Sequence, residues 1–306
     1  MISKNRSITL ICNPLFALVM VASLLSAAPP DPPQEVIIRR DLSYLAADRQ
    51  EKLDLYHPAE RPAGTLSPAV IIIHGGGWTG GDKGAKRELI TGTNLARAGY
   101  VCASVNYSLS ERSRWPTNLH DCKNAVRWMR ANAEELGVDP ERIGVIGGSA
   151  GGHLALMVAY TAGNPEFSPA GPYPGVSDHV SACVNMYGIT NLLTRRHTDD
   201  KGAPIGALKD HQLFPEKRGE APAKWRSASP VSHVRRDSPP TLTLHGTADT
   251  VVDRDQAVEL DRTLRLAGAE SILRMVQGAN HAWPLKTQSF DLTGEVVAFF
   301  DKHLKP

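Results

Sequence analysis

The stretch GVIGGSAGGHLAL, Gly144 to Leu156, places five glycines and one serine between two apolar runs. Two chemistries use such a stretch: a loop that cradles phosphate, or a turn that presents a nucleophilic serine. A dinucleotide loop needs glycine at the first, third and sixth places, where the backbone turns tightly against a pyrophosphate. Counting from Gly144 the third place is Ile146, and counting from Gly147 it is Ser149, so no register fits. The other glycine-rich run, GGGWTGGDKGAK, fails the phosphate-loop pattern because Lys83 follows Asp82 and not a glycine. The nucleophile pattern of glycine, any residue, serine, any residue, glycine is met by Gly147, Ser149 and Gly151. A serine on a sharp strand-to-helix turn has strained backbone angles and crowded neighbours, which glycines relieve.

A serine hydroxyl attacks only when a base takes its proton, and that base needs an acid to fix its tautomer. On a strand-to-helix turn of this kind, acid and then histidine should follow the serine, each just beyond a strand. TLTLHGTADTVV supplies Asp249, and LRMVQGANHAWP supplies His281. Asp253 and Asp255 are rivals, but DRDQAVEL reads as a helix start in which Asp253 caps and Gln256 returns the bond. His153 falls within the serine's own helix and His245 at a strand end, where structural roles are expected; His233 and His303 read as solvated. Negative charge developing on an attacked carbonyl needs N–H donors already aimed at it. IIIHGGGW puts three glycines after an early apolar strand, so the backbone N–H groups of Gly76, Gly77 and Ala150 are expected to form that site. His74 then organises the loop, and the histidines and glycines here form no metal pattern.

The elements that must position these groups alternate. Strand-like EVIIRRDLSY and EKLDLYHP lead to AVIIIHGGGW, whose unbroken apolar run suits a strand covered on both faces. Helix is expected over 85–98, strand at YVCASVNY, helix over 118–133, a turn at GVDPER and strand at IGVIGG. After the serine's helix come strands HVSACVNMYG, TLTLHG and SILRMVQG, with helices over 254–267 and 288–304. This alternation indicates an α/β fold with a mostly parallel central sheet and helices on both faces. The charged, proline-rich segment near 190–233 breaks the pattern and is read as a small lid. Trp78, Trp115 and Trp225 could line a pocket or fill the core.

The 306 residues, 42% of them hydrophobic, suffice for one large α/β domain. Thirty-four Lys and Arg against 32 Asp and Glu leave a net charge of +2 with no basic face, so nucleic acid is not an expected partner. Residues 1–28 pair early positive charge at Lys4 and Arg6 with an apolar run, Leu15 to Ala28, and read as an export signal. An uncleaved anchor is the alternative. Residues 29–35 form a proline-rich linker, and 36–306 form the domain. After signal cleavage no stable membrane association is expected, and the location is periplasmic or extracellular. Of the four cysteines, removal of the signal with Cys12 leaves Cys102, Cys122 and Cys183, an odd number; buried free thiols are expected, with a Cys102–Cys122 bridge as the alternative.

HGGGWTGGDK, DCKNAVRWMR, GVDPERIGVIGGSAGGHLAL, SASPVSHV and LHGTADTVV occur in order. Together they resemble the α/β-hydrolase serine esterases with an HGGGW loop. The similarity is strongest to the bacterial branch of acetylxylan and feruloyl esterase-like enzymes and relatives of hormone-sensitive lipase. The resemblance implies Ser149 as nucleophile, Asp249 as orienting acid, His281 as base, and Gly76, Gly77 and Ala150 as oxyanion donors. It implies a cofactor-free carboxylesterase acting on a small-molecule or carbohydrate ester, acetyl or feruloyl groups on plant polysaccharide among them. A serine peptidase of the same fold, or a non-catalytic binding protein, is the other reading. Asn191 stands where relatives commonly carry aspartate, and Ala282 and Trp283 follow the histidine in place of the usual residues. Both departures bear on the shape of the acyl or alcohol pocket.

Overall fold

The computed structural model of the protein describes residues 35–61, 64–110, 114–196 and 213–306. The expected export signal, nearly all of the 29–35 linker and the middle of the expected lid, 197–212, lie outside these residues. Eight strands make one sheet: β1 (Val36–Ser43), β2 (Lys52–Pro58), β3 (Ser67–Ile73), β4 (Val101–Val105), β5 (Val138–Gly148), β6 (Ala182–Met186), β7 (Thr241–Gly246) and β8 (Ser271–Val276). Their spatial order is β1-β2-β4-β3-β5-β6-β7-β8. β2 runs antiparallel to β1 and β4, and the remaining pairs are parallel. The helices are α1 (Lys86–Arg97), α2 (Thr117–Ala131), α3 (Ala133–Leu136), α4 (Ala150–Tyr160), α5 (Pro222–Ser227), α6 (Asp255–Ala267) and α7 (Thr293–Leu304). This is the α/β-hydrolase fold.

Every residue of β3 is buried, as its unbroken apolar run requires of a strand covered on both faces. Alternation sends Ile71 and Ile73 to the face packed by Leu119 and Val126 of α2, Leu154 of α4 and Leu260 of α6. Val70 and Ile72 face Leu95 of α1 and Val296 and Phe300 of α7. The apolar side chains of β3 are thus shared between two cores, which fixes the heights of the strand ends that carry the site.

Local signals were overridden in four places. Of GVDPER, expected as a turn, only Gly137 turns, at the end of α3, and VDPER belongs to β5: Ser67 pairs with Val138, and a register shift before Ala69–Ile143 absorbs the extra residues. The final helix starts at Thr293 and not near Gln288, because the Thr287 hydroxyl accepts the N–H groups of Ser289 and Phe290 and holds a turn there. The Asp253–Gln256 capping box is absent. Asp253 accepts the Arg196 N–H at 3.2 Å, and Gln256 Oε1 accepts those of Thr190 and Asn191 at 3.0 and 2.9 Å, so tertiary donors claim both side chains. His233 and His303, expected in solvent, are half-buried against Phe167 and Phe299, since an imidazole covers an aromatic edge while keeping a polar tip.

Cys102, Cys122 and Cys183 are buried free thiols. Cys102 lies in the core on the α1 face and Cys122 in the core on the α2 face, so the sheet stands between the two that could have paired. The later described part of the 190–233 segment, 213–233, carries α5 and a 3-10 turn at Pro230–His233.

Candidate active site

β5 ends at Gly148, and the chain turns sharply through Ser149, whose φ of 57° and ψ of −124° lie where side chains are rarely tolerated. The glycines make this possible. A Cβ at Gly147 would sit 2.2 Å from the Gly151 carbonyl oxygen, and one at Gly151 would sit 2.2 Å from that of Ile73. The Ser149 N–H is held by the Met186 carbonyl at 2.9 Å, which ties the turn to the end of β6.

Asp249 follows β7 and His281 follows β8, and the fold brings both to Ser149. The imidazole Nδ1 lies 2.7 Å from Asp249 Oδ2, and Nε2 lies 2.9 Å from Ser149 Oγ. The carboxylate is fully buried. Its Oδ1 accepts the Val251 and Val252 N–H groups, both at 2.9 Å, which fixes the plane of the group. With the Nδ1 proton directed to Asp249, Nε2 is left as the acceptor facing the serine hydroxyl. Such a chain can take a proton from the serine as it attacks and return it to a leaving group.

His245, fully buried, comes within 3.4 Å of the same Asp249 Oδ2 and 2.9 Å of the Val252 carbonyl. Burial lowers its pKa, and its Nε2–H donates to the Val252 carbonyl.

The loop after β3 faces this turn. Gly76 and Gly77 have φ of 122° and 61°, and the Thr79 and Gly80 N–H groups close the turn on the Gly76 carbonyl, each at 3.2 Å. A Cβ at Gly75 would be 3.2 Å from the Ser149 Cβ, so loop and nucleophile turn are packed directly together. Among the described residues the N–H groups of Gly76, Gly77 and Ala150 meet no protein acceptor. Gly76 and Gly77 line, with Ser149 and His281, a cavity of about 310 Å³. His74 stacks on Tyr107 with ring centroids 4.3 Å apart and bonds the Gly75 carbonyl at 2.8 Å. Burial pushes its pKa down to about 4, so it braces the loop as a neutral ring.

Trp78 serves both roles open to it: it lines the cavity and is 1% exposed. Its indole N–H donates to His153 Nδ1 at 3.2 Å, while His153 Nε2–H donates to the Ala228 carbonyl at 2.7 Å. Trp115 packs on that histidine, and Trp225 packs on Phe214. Burial brings His153 down to about 4 as well. Asn191, one of the departures from the esterase pattern, donates to Glu259 at 2.6 Å and is not among the residues that line the cavity.

Sequence reasoning missed Arg87, Arg195 and Tyr187. Both arginines line the cavity, Arg87 from α1 and Arg195 from the segment after β6. The Tyr187 ring packs edge-on against His281 with centroids 5.0 Å apart. None of the three sits in a recognisable motif; the one signal was YGITNL, a polar turn after a buried strand.

The chain is 30% identical to the esterase LipQ of Mycobacterium tuberculosis over 262 residues, 85% of this chain and 61% of that protein, and so spans about three fifths of its length. It is 30% identical to ethyl acetate hydrolase of Pseudomonas putida over 74% of this chain and 69% of that one. A solved carbohydrate esterase from gut microbiota, in truncated form, superimposes with a TM-score of 0.77 and 28% identity, covering 90% of this chain and 99% of that one. The BD-FAE family model matches residues 53–264, more than half of the sequence, and the chain belongs to the BD-FAE family.

Proposed function

We propose that the protein is a serine carboxylesterase that hydrolyses short acyl esters through an acyl-enzyme. The observation that carries this is the unbroken hydrogen-bond chain from Ser149 Oγ through His281 to the buried Asp249 carboxylate. Ser149 Oγ attacks the carbonyl carbon as its proton passes to His281 Nε2, and the oxygen that gains charge is held by the Gly76, Gly77 and Ala150 N–H groups. His281 then protonates the departing alcohol oxygen as its bond to the acyl carbon breaks. Water gives a proton to the same nitrogen and attacks the acyl carbon; as the bond from that carbon to Ser149 Oγ breaks, His281 returns the proton to Oγ and the acid leaves. No cofactor enters this cycle.

A cavity of about 310 Å³ suits an acetyl or hydroxycinnamoyl group better than a long chain. The likeness to an ethyl acetate hydrolase and to a carbohydrate esterase supports short acyl groups, including those on plant polysaccharide. In this reading residues 1–28 direct export, 29–35 link, 190–233 cover the site, and the enzyme works in the periplasm or outside the cell. Fractionation with N-terminal sequencing of the mature chain tests export; an intact N-terminus in the cytoplasm refutes it.

A fluorophosphonate probe should label the parent and not Ser149→Ala, whose hydrolysis of p-nitrophenyl acetate should fall by several orders of magnitude. Equal turnover by the two proteins rules out the mechanism. A panel from p-nitrophenyl acetate to laurate, with methyl ferulate and acetylated xylan, tests the substrate, and activity confined to long chains rejects the short-acyl reading.

A further inference from the structure

Tyr187 occupies an unusual place. It follows the last residue of β6 with a φ of 41°, in the left-handed region that favours glycine, and yet carries a large ring. Its N–H donates to the Leu244 carbonyl at 2.7 Å, which holds that backbone at the end of β7. The ring then lies between the two halves of the site. On one side a Cβ at Gly148, the residue before the nucleophile, would be 3.1 Å from Tyr187 Cε2. On the other, the ring meets His281 and Trp283 with centroids at 5.0 and 4.7 Å.

The direction of its hydroxyl bonds is fixed by chemistry. Arg87 Nη1 lies 3.1 Å from the oxygen, and a guanidinium only donates, so the phenol accepts there. Its own proton must therefore go to its other partner, the Trp283 carbonyl at 2.6 Å. Accepting from a cation makes a hydroxyl a stronger donor. Arg87 is itself held by Glu88, at 2.8 Å from Nε.

The His281 loop is tied on its leading side, where Ala248 N–H bonds the Ala279 carbonyl and Thr250 bonds the Asn280 side chain, each at 3.0 Å. On its trailing side Ala282 sits at φ 62°, strained for alanine, and the Trp283 carbonyl meets Tyr187. We propose that Tyr187 is a positioning residue: its hydroxyl, gripped by Arg87, anchors the trailing side of the His281 loop and so sets the distance from His281 Nε2 to Ser149 Oγ. The inference rests on the esterase reading above. It goes beyond that reading by placing a third element, α1, in control of the base.

The test is a cycle of Tyr187→Phe, Arg87→Lys and the double variant, with kcat for p-nitrophenyl acetate expressed per site titrated by fluorophosphonate. Arg87→Lys keeps the charge beside Glu88 and loses the fork that reaches both partners. Tyr187→Phe should lower kcat about tenfold with KM within about twofold, as a small misplacement of the base does. Arg87→Lys should lower kcat in the parent and add nothing to Tyr187→Phe. A merely structural role would reduce the melting temperature and the titratable fraction, and leave kcat per site where it was. A Tyr187→Phe kcat within twofold of the parent, or two effects that multiply, overturns the inference. Should Tyr187→Phe not fold, Arg87→Lys decides alone by the same comparison of kcat and KM. Ser149→Ala, measured alongside, separates the two readings: if it retains parental turnover, the esterase reading falls and takes this one with it.

Discussion

Asp249→Asn isolates the orienting acid from the rest of the site. The carboxylate has Oδ1 committed to the N–H groups of Val251 and Val252, and Oδ2 facing His281 Nδ1 at 2.7 Å. An asparagine that turned its NH2 toward the two backbone donors would leave three N–H groups facing one another. It must therefore keep its oxygen there and present NH2 to His281. The imidazole then accepts at Nδ1 and carries its proton on Nε2, pointing at Ser149 Oγ, where it takes no proton from the hydroxyl. The charge that stabilises the imidazolium is lost in the same change. A wrong tautomer of this kind lowers kcat about 10⁴-fold, on the order of 5 kcal/mol in the barrier. The two backbone bonds survive, so the melting temperature should move by only a few degrees. The assay is kcat on p-nitrophenyl acetate beside a thermal melt. A folded Asp249→Asn protein with kcat within tenfold of the parent would show that the acid does not set the tautomer.

Two further predictions concern stability. Ser149→Gly should melt above Ser149→Ala, because both lack the hydroxyl and only glycine relaxes a φ of 57°, a strain of about 1–3 kcal/mol less the entropy glycine loses; the reverse order of melting temperatures contradicts the strain. His74 and His153, both near 4 when folded against 6.5 unfolded, mean that the unfolded chain binds more protons between these values, so stability is lost as pH falls from 6.5 toward 4. His153→Gln, which can still accept from Trp78 and donate to Ala228, should flatten the melting temperature against pH, and an unchanged slope refutes this account.

The sheet was legible because its signals are redundant: β3 reads as buried from its run of isoleucines, and β5, β7 and β8 each lead into a residue of the site. Ser149, Asp249 and His281 were legible for the same reason, since a nucleophile turn constrains both sequence and chain order. Tyr187 and Arg87 were not, because a ring packed against a histidine from another strand leaves no trace in local spacing. The capping box at Asp253 misled in the opposite way, since the local pattern was present and Thr190, Asn191 and Arg196 claimed its side chains from a distance. Motifs report what the backbone needs nearby; partners reached across the fold are decided by packing.

The three buried thiols have a practical consequence. Burial pushes all of them far above the ordinary thiol range, and they lie on both sides of the sheet. In the folded domain the three sulfurs are shielded from solvent-borne oxidants and none is paired in a disulfide. Alkylating reagents meet these sulfurs only when a core opens, which makes Cys102 a built-in clock for one half of the molecule and Cys122 and Cys183 a clock for the other.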